Sequence, residues 1–452
     1  MYSEVNDAQF HQVEIKETFT SFRKKYSIIN FFQKYIEKGS INEGVINLCI
    51  ISFGVGLLAL PQKVQYLTLF FTPIMIIIFA IINYWTFSVL GKAARKYNVN
   101  KYEDIISLLF NSYFSYFFNF VICFGLFGEI ILFQVILYKF IGGIINEIFS
   151  YGFDNMEIFS VASFWGETKI RLIVCYSIVL FIFSPLCMIK TLSNLRYVTA
   201  LGIFSVFLVI FIVVIQSPMF YHHNVIEKKM KINFVDISLG FGSDFKFITS
   251  ISTIVYAYEC HAGIFPVISA LNNPNENRVN SVFRRATFIN AIAYIIITLS
   301  GYISQPQNTP DLIIEREKIT NNDYLMSLGL IFFTLTIITK IVALFNCLRR
   351  IILNFMKYNV DNFPNNINFI LLLIIFSITT FVAAIFQNIS DYISLISSFY
   401  GLFIAVIIPG IIYIKFDETP FKNKCYAIMF ISVLSLIGFL TIYFILKKIL
   451  IL

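Results

Sequence analysis

Residues 52–61 read Ser-Phe-Gly-Val-Gly-Leu-Leu-Ala-Leu-Pro and lie near the middle of the first long apolar stretch of the chain. Gly54 and Gly56, one residue apart, weaken a helix at a depth where unpaired backbone amides are costly. A break there persists only where the freed N–H and C=O groups face protein, water or a ligand. The motif alone leaves two readings open. Either the break opens a site whose exposed helix N-terminus favours an anionic group, or the glycines let a neighbouring helix pack closely. The rest of the sequence shifts the balance.

Of the 452 residues, 58% are hydrophobic, 17% aromatic and only 13% charged. A soluble domain carries about a quarter charged residues. The deficit, with the remaining charges between long apolar runs, predicts an all-α polytopic protein embedded in a lipid bilayer. The first 40 residues are mixed polar, with Arg23-Lys24-Lys25 among them, and show no secretory signal pattern. The net charge of +8 raises the question of nucleic acid, but the basic residues flank apolar spans, as loop charge bias requires. No nucleic-acid partner is expected. Seven cysteines (Cys49, Cys123, Cys175, Cys187, Cys260, Cys347, Cys425) lie in or beside apolar runs without a CxxC pair. They indicate neither a metal site nor a disulfide and read as buried thiols.

A helix needs about 20 residues to cross a hydrocarbon core of about 30 Å. That rule predicts eleven spans: 42–62, 66–91, 114–146, 169–189, 199–216, 246–270, 286–304, 324–352, 367–386, 392–414 and 425–446. With the N-terminus in the cytosol, the inner segments hold 21 basic residues and the outer ones 10. The bias predicts N-terminus inside and C-terminus outside, although Lys228, Lys229 and Lys231 in an outer loop run against it. The Asn388-Ile-Ser390 sequon lies in a loop expected to be too short for use. Residues 1–40 form a cytoplasmic segment and 41–446 the membrane domain. Within it, 41–216 is one repeat, 246–414 a second of inverted topology, and 425–446 an extra helix. This arrangement predicts a second break in span six. Tyr256-Ala-Tyr-Glu-Cys-His-Ala-Gly-Ile-Phe-Pro266 supplies it, since proline removes a helix donor and clashes with the preceding turn. Paired interrupted helices at corresponding positions point to a midplane substrate site.

At these residues the chain resembles the amino acid/auxin permease family, within the amino acid–polyamine–organocation superfamily. Asn47-Leu48 followed by Gly54-Val-Gly-Leu-Leu-Ala-Leu-Pro61 resembles the family's first-helix signature. Ser184-Pro-Leu-Cys187, Lys190-Thr-Leu and Leu195-Arg-Tyr-Val198 resemble the end of its fourth helix and the following loop. Cys260-His261 with Pro266 resembles the Cys-His-Pro stretch of the neutral amino acid transporter branch, with Ala262 in place of that branch's proline. Tyr400-Gly-Leu-Phe through Ile408-Pro-Gly-Ile-Ile-Tyr413 resembles the tenth span. The resemblance implies a LeuT-like five-plus-five bundle with broken helices 1 and 6 that carries L-amino acids by alternating access. The substrate-binding set it implies is Ser52, Phe53, Gly54, Val55, Gly56, Tyr256, Tyr258, Glu259, Cys260 and His261. One departure matters. Where the sodium-coupled branch has an ion-binding asparagine in span one, this chain has Ile50; near that branch's span-eight threonine it reads Thr339-Lys340. An aliphatic side chain cannot bind sodium and an ammonium repels it, so coupling to protons, or passive transport, is expected.

Glu129, Lys139, Glu259, His261 and Lys340 lie inside apolar spans, where each costs about 3 kcal/mol near the bilayer centre. They should therefore face the bundle interior. Lys139, toward the end of span three, reads as a snorkelling side chain. Glu129, near Gly125 and Gly128, is open between a structural and a functional role. Lys340, next to Thr339, is either a structural bridge or a stand-in for the sodium ion. Glu259 and His261 lie in the second break, where imidazole suits proton coupling; the alternative is that His261 caps a loose helix end. Glu129, Glu259, His261, Thr339 and Lys340 are thus the candidate ion-pathway residues. An intramembrane enzyme is disfavoured, because His11, His222 and His223 lie outside the spans and leave His261 alone. A transporter-like sensor would keep the same fold, and a channel would need a filter-like loop that no span provides. No cofactor or metal is expected. The plasma membrane and a lysosome- or vacuole-like membrane both remain open.

Overall fold

The computed structural model describes residues 37, 39–152, 173, 175–188, 196–234, 246–317, 319, 324–356, 358, 363–385, 389–416 and 419–451. The N-terminal segment ahead of residue 37, the Lys190-to-Leu195 part of the fourth-span motif and Asn388 of the sequon lie outside these. All regular elements among the described residues are helical. Ser40 starts the first: its hydroxyl accepts from the Glu43 N–H at 3.1 Å, while the Glu43 carboxylate accepts from the Gly39 N–H at 2.5 Å. This reciprocal cap satisfies donors that the first turn cannot. Helix α1 (Ile41–Ser52) and α2 (Val55–Leu67) then meet at a 59° bend.

The chain continues through α3 (Phe71–Tyr97), closed by Asn98 in the left-handed region at φ 51°, and the short α4 (Tyr102–Leu109). Next come α5 (Ser112–Gly152), α6 (Cys175–Cys187) and α7 (Arg196–Tyr221), which runs on in wider turns to Glu227. Helix α8 (Lys246–Ala257) breaks off, one tight turn spans His261–Gly263, and α9 (Ile264–Ala270) resumes. The last five are α10 (Glu276–Ser304), α11 (Tyr324–Phe355), α12 (Asn365–Ile385), α13 (Ile389–Lys415) and α14 (Phe421–Ile451).

Among the described residues nine helices are long and apolar enough to cross a membrane, counting α8 with α9 as one, and the bent pair α1–α2 makes a tenth. The expected fourth span is represented, among the described residues, by α6, with residue 173 also helical. Helix α4 was not expected: Glu103 and Asp104 favour its N-terminus, and its buried Tyr102, Ile105 and Ile106 seat it against the bundle. The Tyr102 hydroxyl donates to the Ile404 carbonyl at 3.0 Å.

Burial separates the helices. The most apolar stretch of α8–α9 is 78% buried and that of α14 only 22%, so the second broken span is central and the last helix peripheral. α10 packs along α1, α2 and α3, while α8 packs on α2 and α13, and α11 on α5 and α7. Ile81, Phe211, Phe288 and Phe439 stand exposed on the outer faces, an arrangement that water penalises and lipid tails do not. Of the cysteines expected to be buried, Cys347 and Cys425 are exposed and Cys123 is half-buried.

Candidate functional site

The first break is a hand-over between two helix ends. The Phe53 N–H closes α1 on the Cys49 carbonyl at 2.8 Å, and the Phe53 carbonyl accepts from Lys340 Nζ at 3.1 Å. Gly54 begins α2 without a side-chain cap. The first N–H groups of α2 therefore have no intrahelical acceptor and carry the positive end of the helix dipole. Gly54 itself is extended (φ −149°, ψ −159°), which any residue can adopt. A Cβ there would meet only Lys340 Nζ, at 3.0 Å. Gly56 is different. A Cβ on it would lie 2.7 Å from the Ala257 Cα, so the start of α2 touches the end of α8 backbone to backbone. Close helix packing is thus met at Gly56, while Gly54 stands at the uncapped start of α2.

The second break ends α8 in tight turns, with the N–H groups of Tyr258 and Glu259 bonded to the carbonyls of Val255 and Tyr256 at 3.1 Å each. The C-terminal, electronegative end of α8 thus abuts the electropositive start of α2. Tyr294 on α10 ties the two breaks together. Its hydroxyl donates to the Ala257 carbonyl at 2.5 Å and lies 2.8 Å from the Ser52 hydroxyl. Sequence reasoning passed over Tyr294. A buried tyrosine hydroxyl needs a partner, but nothing in the sequence around it says which.

Between the breaks lies a cavity of about 400 Å³, within the range of small-molecule pockets. Its wall includes Ser52, Phe53, Gly54, Val55 and Gly56 from the first break and Tyr256, Glu259 and Cys260 from the second. Glu129 comes from α5, Thr339 and Lys340 from α11, and Tyr400 from α13. Ile50 also lines it. Tyr400 seats its ring on Gly125, where a Cβ would overlap it, so that glycine is a packing requirement.

Two of the expected site residues stand apart from this wall. Tyr258 turns away: its hydroxyl donates to the Ile76 carbonyl at 3.1 Å, and its ring meets Tyr294 edge-on at 4.9 Å. His261 is 1% exposed, with Nε2 2.8 Å from the Thr86 hydroxyl and its ring 4.8 Å from that of Phe87. It joins the second break to α3 rather than to the cavity. Its backbone N–H instead faces the Glu259 carboxylate.

The remaining intramembrane lysine is paired. Lys139 Nζ lies 2.7 Å from the Glu315 carboxylate in a tight turn, Ile313–Glu315, between α10 and α11. A further lysine that sequence reasoning left aside, Lys63 on α2, is 1% exposed. Its ammonium donates to Gln62 Oε1 at 2.9 Å and to Ser390 Oγ at 2.5 Å, and Gln62 donates to Asp311 at 2.6 Å. This network joins α2, the α10–α11 connection and the start of α13. Among the described residues no group of three His, Cys, Asp or Glu side chains converges as a metal site.

Residues 37–451 match a family model described as "Transmembrane amino acid transporter protein". The chain is 22% identical over 295 residues to a putative amino acid transporter, AAT1, of Plasmodium berghei, covering 65% of this chain and 44% of that protein. It is 23% identical over 278 residues to the amino acid transporter AVT6B of Arabidopsis thaliana, covering 61% and 58% respectively. To vacuolar amino acid transporter 5 of Saccharomyces cerevisiae it is 25% identical over 279 residues, covering 60% and 57%. The chain spans about half the length of these curated relatives.

Proposed function

Because this chain belongs to the family of transmembrane amino acid transporter proteins, we propose that it moves L-amino acids across a membrane by alternating access. One observation carries the proposal. The uncapped start of α2 and the broken end of α8 meet at one cavity, at Gly56 and Ala257. A free α-amino acid is a zwitterion. The α2 amides suit its carboxylate, and the carbonyl-rich end of α8 suits its ammonium. The architecture we propose is the eleven-span, five-plus-five inverted repeat, with repeats at 41–216 and 246–414, an extra helix at 425–446, and residues 1–40 as a cytosolic segment. The vacuolar name of one relative favours a vacuole-like membrane.

Coupling follows from the same wall. Ile50 offers no oxygen, and the Lys340 ammonium already bonds the Phe53 carbonyl, so the cavity suits transport without sodium, proton-linked or passive. Where a proton is carried, Glu259 is the group we assign to it. It lines the cavity on the segment that must rearrange, whereas His261 is sealed behind it. Purified protein in proteoliposomes, offered radiolabelled amino acids with and without sodium and a pH gradient, tests the proposal. Uptake independent of sodium is expected. Uptake that saturates with sodium refutes the coupling assignment, and the absence of any amino acid uptake refutes the function.

A further inference from the structure

We infer that the cavity is built for a cationic α-amino acid of the lysine, arginine or ornithine class, its side-chain charge held among Glu129, Glu259, Tyr256 and Tyr400. The inference rests on the transport reading above and goes further by naming the substrate's charge.

Two carboxyl side chains, Glu129 and Glu259, and one ammonium, Lys340, line the cavity. Glu129 is in electrostatic reach of both others, yet no contact ion pair within 4.0 Å joins any two of them. The Lys340 ammonium is engaged elsewhere, on the Phe53 carbonyl at 3.1 Å and over the Phe133 ring at 5.6 Å. The positive charge thus belongs to the first break, beside the α2 amides that suit a carboxylate. The two carboxylates line the same cavity as Tyr256 and Tyr400. Each of these tyrosines lies in electrostatic reach of both. Tyr400 is 5% exposed and lines the cavity, and its hydroxyl makes no hydrogen bond to a described residue. Carboxylates beside aromatic rings, with an uncommitted hydroxyl, are the chemistry that recognises an ammonium or guanidinium.

Charge balance points the same way. With both carboxyl groups ionised, the state a bound cation favours, the wall carries one net negative charge. A neutral amino acid brings no such cation, so a carboxyl group must hold a proton when the cavity closes or leave a charge that a low-dielectric interior resists. An acidic amino acid adds a third carboxylate and is repelled. A cationic amino acid brings the missing charge itself. Its carboxylate lies at the α2 amides, its α-ammonium at the end of α8, and its side-chain cation reaches the Glu129 side of the cavity. A neutral amino acid accompanied by a proton would balance the same charges, and the test separates the two.

Full-length protein in proteoliposomes is offered L-lysine, L-arginine, L-glutamine and L-glutamate, with an inside-negative potassium diffusion potential and, separately, with a pH gradient. Lysine and arginine uptake should exceed glutamine uptake by about tenfold or more, the scale of one charge-assisted hydrogen bond. It should be driven by the potential without a pH gradient. Glu129→Gln should reduce the lysine-to-glutamine ratio by about tenfold. Glutamine carried better than lysine, and only with a proton gradient, overturns the inference while leaving amino acid transport intact. No uptake of any amino acid, and no thermal stabilisation by any, overturns both. The wild-type ratio decides by itself, so a Glu129→Gln chain that fails to fold does not blunt the test.

Discussion

Replacing Gly56 by alanine should impair transport far more than the same change at Gly54. The new Cβ would sit 2.7 Å from the Ala257 Cα and 3.1 Å from its N, whereas ordinary contact begins at 3.4 Å. The start of α2 and the end of α8 must therefore separate by about 0.7 Å. Neither partner atom is the end of a flexible side chain, so the backbone has to move. Tyr294 resists this, because its hydroxyl holds Ser52 and Ala257 on either side of the contact. Overpacking of this kind costs about 1–3 kcal/mol. If the cost falls on the closed state alone, its population drops by roughly 5- to 150-fold. At Gly54 the added Cβ meets only the Lys340 ammonium at 3.0 Å, which can swing aside, and uptake should stay within roughly tenfold of wild type, a change of about 1.4 kcal/mol. Initial uptake rates in proteoliposomes, normalised to inserted protein, read both. Wild-type uptake by Gly56→Ala, or a larger loss in Gly54→Ala, would refute the reasoning.

Lys340→Ala removes the donor to the Phe53 carbonyl and should slow uptake more than Lys139→Ala, which breaks only a half-exposed pair with Glu315; equal losses in the two variants would count against it. The pH dependence of uptake, followed from about pH 5 to about pH 8 where carboxylates and histidines titrate in proteins, should survive His261→Asn and change in Glu259→Gln. The reverse outcome would return the proton to the histidine. Lys63→Met leaves Gln62 and Ser390 without their shared donor, and should cost about 1–3 kcal/mol. A lowered melting temperature in detergent checks it, and an unchanged or raised one refutes it.

Much of the membrane frame was legible because it depends on local quantities. Length and hydropathy marked the spans, and both broken helices were found from Gly54, Gly56, Gly263 and Pro266. Helix α4 escaped notice because its eight residues are too few to register as a span. Of the candidate site, Ser52–Gly56, Tyr256, Glu259, Cys260, Glu129, Thr339 and Lys340 share one wall. Tyr258 and His261 do not, although they flank Glu259 and Cys260 in the chain. Around a break the backbone leaves helical periodicity, so neighbours in sequence point in directions that no repeat predicts. Lys63 was missed for a related reason: it falls just past the first apolar run and reads as an ordinary flanking charge.

The sequence by itself determined that the chain is an α-helical membrane protein of the amino acid transporter type, with two interrupted helices. Those features follow from the cost of burying backbone and from the residues that tolerate a break. Only the tertiary structure decided which polar groups meet. Phe53 and Lys340 are 287 residues apart, and Ser52 and Tyr294 are 242 apart. A helix that is apolar on nearly every face carries no local signal of how it is rotated about its axis. Its rotation is set by the packing of the helices around it, and that rotation turns Glu129 into the cavity, while the course of the broken backbone brings Glu259 to it and carries His261 away.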